Sequence, residues 1–233
     1  MGLQPYDVSH IAGMGLPVLC VDTCSILDIM RDPTRDTARV ADLAVALDLL
    51  VHADTGTSLS VLVCEQVRSE FQEHVDAVHD ECERKLRLFC ERVSRVDEIA
   101  ARFGANGTMS TRHLLDHPAR ARAIAERLLA ISEHVPESAD IAARAHRRSV
   151  AGQAPARKGK GSPGDCAIIE TYIEAVSRLR SSGLPSKIVF LSSNTEDYRG
   201  TARYLRPELE LEFGSLQMEY APNFGAARNS LGL

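Results

Sequence analysis

Residues 16–25 read LPVLCVDTCS, an apolar run that ends at Asp22. A continuous run of this length, closed by a polar residue, is typical of a short strand buried on both faces of a parallel sheet. A second run of the same kind covers residues 187–191 and leads into the polar sequence SSNTED. Because helical periodicity fills most of the chain between the two runs, we predict an α/β fold with a short parallel sheet.

The remaining periodicity predicts one further strand before residue 100 and one near the end of the chain. The predicted elements are helices over 25–30, 37–52, 63–103, 118–134, 138–148 and 163–180, and strands over 58–62 and within 209–220. Pro163 marks the start of its helix, because proline at the first helical position and a preceding serine cap are common start signals.

The composition indicates one globular chain of 233 residues, with 44% apolar and 25% charged residues. No segment approaches the roughly 20 apolar residues that span a bilayer, so we expect no membrane partner. No Lys or Arg precedes the first apolar run, unlike in a signal peptide, and the expected location is the cytoplasm. The six cysteines form no CxxC pair and are predicted to be buried free thiols rather than zinc ligands.

Four acids are predicted to meet at the carboxyl edge of the sheet. Asp22 ends the first strand, Asp197 follows the last apolar run, and Asp165 lies in the first turn of a helix. Glu70 shares the apolar face of its helix, whereas Glu65, the alternative, faces nearly the opposite way. Each acid alone is consistent with helix capping. As a set they repel one another unless a cation is bound, and oxygen ligands favour Mg²⁺ or Mn²⁺. Hydroxyl and amide groups at Thr23, Ser193 and Asn194 are placed to orient the carboxylates.

Four stretches in order resemble the motifs of PIN-domain nucleases. They are VDTCSIL at 21–27, QVRSEF at 66–71, GDCAIIE at 164–170 and VFLSSNTEDY at 189–198. The resemblance implies a three-layer α/β/α fold with a short central parallel sheet. It also implies a Mg²⁺- or Mn²⁺-dependent phosphodiesterase acting on nucleic acid, usually RNA. In that case Asp22, Glu70, Asp165 and Asp197 would hold the metal that activates water.

The spacing of the motifs departs from that of small family members. Glu70 and Asp165 lie 95 positions apart, about twice the usual separation. We therefore predict a single domain over 1–233 with a helical insertion at about 76–148, as in larger bacterial relatives. Glu170, five positions after Asp165, is expected to face solvent.

Basic residues are concentrated just before the third motif. No acid occurs between residues 141 and 164, which hold six Lys and Arg, although the whole chain has a net charge of -5. Arg157, Lys158 and Lys160 are predicted to bind the substrate backbone.

Two readings remain open at this point. The first is an active nuclease, in the finer form a toxin-type endoribonuclease silenced by an antitoxin or another regulator. The second is a catalytically silent PIN-like module that binds nucleic acid or protein. Homodimerisation is common in the family, and no apolar stripe in the sequence predicts it here.

Overall fold

The computed structural model describes residues 6–157, 162–200 and 204–233. The strands are β1 (Val18–Val21), β2 (Ser60–Cys64), β3 (Glu133–Val135), β4 (Ile188–Leu191) and β5 (Met218–Ala221). The helices are α1 (Val8–Met14), α2 (Thr23–Met30), α3 (Val40–Asp54), α4 (Glu65–Arg102), α5 (His117–Ile131), α6 (Ala139–Ala151), α7 (Pro163–Ser181), α8 (Thr195–Tyr198), α9 (Pro207–Leu216) and α10 (Phe224–Leu231).

The strands form one parallel sheet in the order β3-β2-β1-β4-β5. The chain leaves β1 toward β2 and β3, and then crosses to the other side of β1 to form β4. The point of reversal therefore lies between β1 and β4, where open α/β sheets bind their ligands. The prediction of a parallel α/β sheet is confirmed.

Helices cover both faces of the sheet, which gives the predicted α/β/α layers. Helix α7 packs with α1, α6 and α9, whereas α2 packs with α4 and α5, and α3 packs with α10. Every residue of β1, β2 and β4 is buried, as expected of strands covered on both faces.

Tyr172 of α7 ties the carboxyl ends of two strands to the helix. Its hydroxyl group donates to the Val21 carbonyl oxygen at 2.6 Å and accepts from the Cys64 N–H at 3.2 Å. Its ring packs against Phe190 of β4, with ring centroids 5.8 Å apart. The tyrosine thus fixes β1, β2 and α7 just beneath the edge at which the predicted acids lie.

Two sequence predictions about the outer strands are wrong in their boundaries. The predicted strand within 209–220 is mostly helix α9, because Leu209 and Phe213 are buried one helical turn apart and Pro207 opens the helix. The predicted helix over 118–134 ends at Ile131, and the next residues form β3. β3 forms because it pairs with β2, in the register Leu62↔Glu133.

The predicted insertion over 76–148 holds this sheet strand in addition to helices, and its status as an insertion stays a prediction. Its longest element is the part of α4 from residue 76 to Arg102; the whole helix is 38 residues long and begins at Glu65, before the predicted insertion. In the part of the chain that the structure describes, none of the helices combines the length and apolar character needed to cross a membrane.

Candidate active site

Asp22 lies buried at the carboxyl end of β1 and caps the N-terminus of α2. One carboxylate oxygen, Oδ1, accepts from the Thr23 N–H at 2.7 Å. The other, Oδ2, accepts from Ser192 Oγ at 2.5 Å and from Cys24 Sγ at 2.9 Å. Burial raises the pKa of the Asp22 carboxyl group, while these hydrogen bonds act in the opposite direction and the charge of Glu70 raises the pKa further.

Glu70 of α4 lies beside Asp22 and is held from both sides. Thr23 Oγ1 donates to Glu70 Oε2 at 2.7 Å, and Gln66 Nε2 donates to Oε1 at 2.9 Å. The first turn of α7 approaches closely here, since a Cβ atom on Gly164 would lie 2.4 Å from Glu70 Oε1. Glycine at position 164 therefore allows α7 to bring the next residue, Asp165, to the same place.

Glu65, the alternative second acid, lies elsewhere. Its side chain is exposed, and Oε2 accepts from the Glu137 N–H at 3.2 Å. Of the two glutamates, the structure brings only Glu70 to Asp22, which is the placement expected from helical phase.

The pKa of Asp165 responds to the charges of the other three acids. The pKa of its carboxyl group is raised to about 7, first by burial and then by the charges of Asp22, Asp197 and Glu70, while a hydrogen bond from Ser162 acts in the opposite direction. Asp165 lies in the first turn of α7, where the helix dipole favours negative charge. Burial and the three neighbouring acids outweigh that effect.

Asp197, in the short helix α8, is the fourth acid and is also buried. Asn194 Nδ2 donates to Asp197 Oδ2 at 2.9 Å, and Arg157 Nη2 lies 3.6 Å from Oδ1. The loop that carries Asn194 is fixed to α2, because the Ser193 N–H donates to Ser25 Oγ at 3.0 Å.

The structure thus brings Asp22, Glu70, Asp165 and Asp197 to one edge, and Thr23 and Asn194 each contact at least one of them. Ser193 contacts Ser25 through its backbone. Three residues that hold the acids, Cys24, Gln66 and Ser192, were not predicted from the sequence. The position of Ser192 could have been inferred from the sequence, because it directly follows β4 as Asp22 directly follows β1. The last residues of these two strands, Val21 and Leu191, are paired in the sheet.

The donor set fits a hard divalent cation chemically, although no ligand cage is closed around one point. Within residues 6–157, 162–200 and 204–233, no group of three or more His, Cys, Asp and Glu side chains is placed to hold a metal ion. Mg²⁺ is usually bound through one or two carboxylates and keeps several waters. The raised pKa of Asp165 reports negative charge that a cation would compensate.

The basic stretch before Asp165 is partly internal. Arg148 is buried and bonds Glu170 Oε1 at 2.6 Å and Glu212 Oε1 at 2.5 Å. Arg144 bonds Glu170 Oε2 and Glu174 Oε2, both at 3.0 Å. The expectation that Glu170 faces solvent is therefore wrong, because two arginines of α6 cover it. These ion pairs join α6, α7 and α9 and leave less positive charge for a ligand.

Of the three residues predicted to bind the substrate backbone, the structure describes Arg157. Arg157 is exposed, lies beside Asp197, and donates to the Glu196 carbonyl oxygen. Lys158 and Lys160 lie outside the described residues.

The fold and the acidic edge define an α/β protein whose carboxylates gather at the point where the sheet order reverses. A family model described as a PIN domain matches residues 19–198, more than half of the chain, and includes all four acids. The chain belongs to the PIN-domain family, and its fold is of the nuclease type. Comparisons with curated proteins and with solved structures gave no match.

Proposed function

We propose that this protein is a metal-dependent nuclease that hydrolyses phosphodiester bonds in RNA. The observation that carries the proposal is the meeting of Asp22, Glu70, Asp165 and Asp197 at the reversal point of the sheet. Burial, and then the charges of the other three acids, raise the pKa of Asp165 to about 7, and such a perturbed acid is characteristic of sites that bind a cation or perform catalysis. We assign Mg²⁺ or Mn²⁺ as the cofactor and these four carboxylates as its ligands.

The bound metal would supply an activated water and stabilise the charge that develops at the phosphate. The protein's own groups hold the carboxylates ready for this task. Thr23 links Asp22 to Glu70 through its N–H and its hydroxyl group, and Ser192 fixes the second oxygen of Asp22. Asn194 fixes Asp197. Because these donors orient the ligands before any cation arrives, less ordering is required on binding.

Finer parts of the proposal rest on the family resemblance. They are the preference for RNA over DNA, toxin-type endonucleolytic cleavage in the cytoplasm, control by an antitoxin or other regulator, and homodimerisation. The arrangement of residues 1–233 as one domain with an insertion at about 76–148 belongs with them.

The test is cleavage of end-labelled single-stranded RNA and DNA by the purified protein, with Mg²⁺, with Mn²⁺ and with EDTA. A circular RNA is included, since only an endonuclease can open it. The Asp22→Asn/Asp165→Asn variant should lose cleavage while keeping its circular dichroism spectrum. Asp140→Asn, an exposed aspartate in the first turn of α6, is the matched control and should cleave normally.

A catalytically silent nucleic-acid-binding module is the second candidate. It is favoured by the absence, among the described residues, of a three-ligand group. Binding of RNA without cleavage under any metal would support it and would contradict the nuclease. Cleavage that survives EDTA, or that survives in the double variant, would contradict the assigned ligands.

A further inference from the structure

An arginine-rich cavity lies next to the acidic site. It has a volume of about 830 Å³. Among the described residues, its charged lining consists of four arginines and two glutamates: Arg39, Arg157, Arg199, Arg206, Glu196 and Glu208. The local charge is therefore positive, although the whole chain is negative.

Three of these arginines form no ion pair with the described part of the chain. Across the described residues, Arg39, Arg199 and Arg206 have no carboxylate within ion-pair distance, unlike the arginines of α6. Arg199 lies over the ring of Tyr220, 5.3 Å from its centroid, and its buried Nε has no acceptor among the described residues. A buried donor without an acceptor is costly, so a change in the Arg199 side chain that brings this N–H to a ligand oxygen would be favourable.

The cavity and the acidic site share a wall. Thr195 and Glu196, which line the cavity, belong to the same helical turn as Asp197. Arg157 faces both, because it lines the cavity and lies 3.6 Å from Asp197 Oδ1. A chain that enters the acidic site from this side must cross the arginines first.

We propose that this cavity binds the sugar-phosphate backbone of single-stranded nucleic acid next to the bond that is cut. The proposal rests on the proposed nuclease function for the position of the cut, and on the arginines alone for binding. Guanidinium groups suit phosphate, since they donate two parallel hydrogen bonds and keep their charge.

The proposal assigns the preference for a single strand to Tyr204, which lies in sequence between the cavity-lining residues Gly200 and Arg206. This residue is 74% exposed, and its carbonyl oxygen accepts from the N–H of Gly200, a cavity-lining residue, at 2.9 Å. Tyr204 is not among the lining residues, but its exposed ring belongs to the segment that joins two of them and offers a surface on which an unpaired base can stack. A base held in a duplex is not available for such stacking.

The test is fluorescence anisotropy with labelled single-stranded RNA and full-length protein in EDTA, so that no substrate is consumed. The Arg39→Gln/Arg199→Gln/Arg206→Gln variant should bind at least about tenfold more weakly, and the slope of log affinity against log salt should fall by about two, at roughly 0.7 per lost phosphate contact. Tyr204→Ala should weaken binding of the single strand about tenfold and leave duplex RNA unaffected.

Three controls separate charge at the cavity from charge in general. Arg95→Gln removes an exposed arginine of α4 that has no ion-pair partner among the described residues, and should bind like the wild type. Arg199→Lys keeps the charge and should recover most of the affinity lost in Arg199→Gln, which excludes misfolding as the cause. A polyglutamate peptide should not compete with the RNA.

Cleavage with Mn²⁺ is measured in parallel. Unchanged binding in the triple variant overturns the inference, even if the protein cleaves RNA. Effective competition by polyglutamate also overturns it and identifies an acidic protein as the ligand. If RNA binding depends on the arginines but the protein shows no cleavage with any metal, the result supports the cavity as a binding site and refutes the nuclease function.

Discussion

Replacing Asp165 by asparagine should stabilise the metal-free protein, although the residue is proposed as a ligand. Its carboxyl group is partly buried among three other acids, which raises its pKa from 3.8 to about 7. At about 1.36 kcal/mol per pKa unit, holding the ionised form costs roughly 4 kcal/mol above pH 7. Asparagine has nearly the same shape and carries no charge, so the variant avoids that cost.

Two smaller effects act in the opposite direction. The variant loses the attraction between a carboxylate and the N-terminus of α7, worth about 0.3–1 kcal/mol. It also exchanges a charged hydrogen-bond acceptor for a neutral one, which costs about 1 kcal/mol. We therefore expect a net gain of about 2 kcal/mol, or roughly 4–8 °C in Tm for a chain of this length.

The pH dependence of stability provides a second test of whether Asp165→Asn stabilises the protein. Because the folded-state pKa of this acid lies above the unfolded-state value, the wild type loses stability as pH rises from about 4 to about 7. Differential scanning fluorimetry in EDTA should show a larger gain for Asp165→Asn near pH 8 than near pH 5. Adding Mn²⁺ should stabilise the wild type more than the variant and reduce the difference.

A variant that is less stable than the wild type near pH 8 would refute this reasoning, and so would a gain that does not change with pH. Asp140→Asn supplies the comparison, since its carboxyl group also lies in the first turn of a helix but is exposed. It should lower stability by no more than about 1 kcal/mol.

Three further outcomes are expected. Gly164→Ala should abolish cleavage at little cost in Tm, because the added methyl group lies 2.4 Å from Glu70 Oε1 and displaces that side chain; Gly13→Ala, with open space around it, should leave cleavage unchanged. Tyr172→Phe should lower the free energy of unfolding in urea by about 1–3 kcal/mol, since it leaves buried backbone groups of β1 and β2 without their partner. Arg148→Ala should cost about 1.5–3 kcal/mol by the same assay, because the buried carboxylate of Glu170 is left with Arg144 as its partner and the half-buried Glu212 loses its ion pair; a loss below about 1 kcal/mol would contradict the assigned ion pairs.

The central sheet could be predicted because β1 and β4 are buried on both faces, and their sequences are therefore continuous apolar runs. Strand β3 could not, since only Val135 of its three residues is buried. It exists because its backbone pairs with β2, a contact between distant parts of the chain. The boundaries of β5 were misplaced for a different reason: the apolar residues of α9 precede it directly and extend the apolar pattern.

In the acidic site, too, the features set by local sequence could be predicted, and those set by contacts between distant parts of the chain could not. Glu70 could be chosen over Glu65 because helical phase is a local property that the sequence carries. Glu170 could not be placed, because its burial depends on Arg144 and Arg148, which belong to another helix. Of the residues that hold Asp22, Thr23 and Cys24 are its neighbours in sequence, whereas Ser192 comes from the end of β4 and is placed beside Asp22 only by the pairing of β1 with β4.

The distribution of charge decides how such a protein can handle a polyanion. With a net charge of -5, the protein as a whole repels a polyanion, and under our proposal the arginine cavity supplies the local attraction. Nonspecific binding should therefore be weak, and four arginines should give a salt slope of no more than about three for a single strand. A slope of six or more would mean that a much larger surface binds the backbone, and the cavity would then be one contact among several.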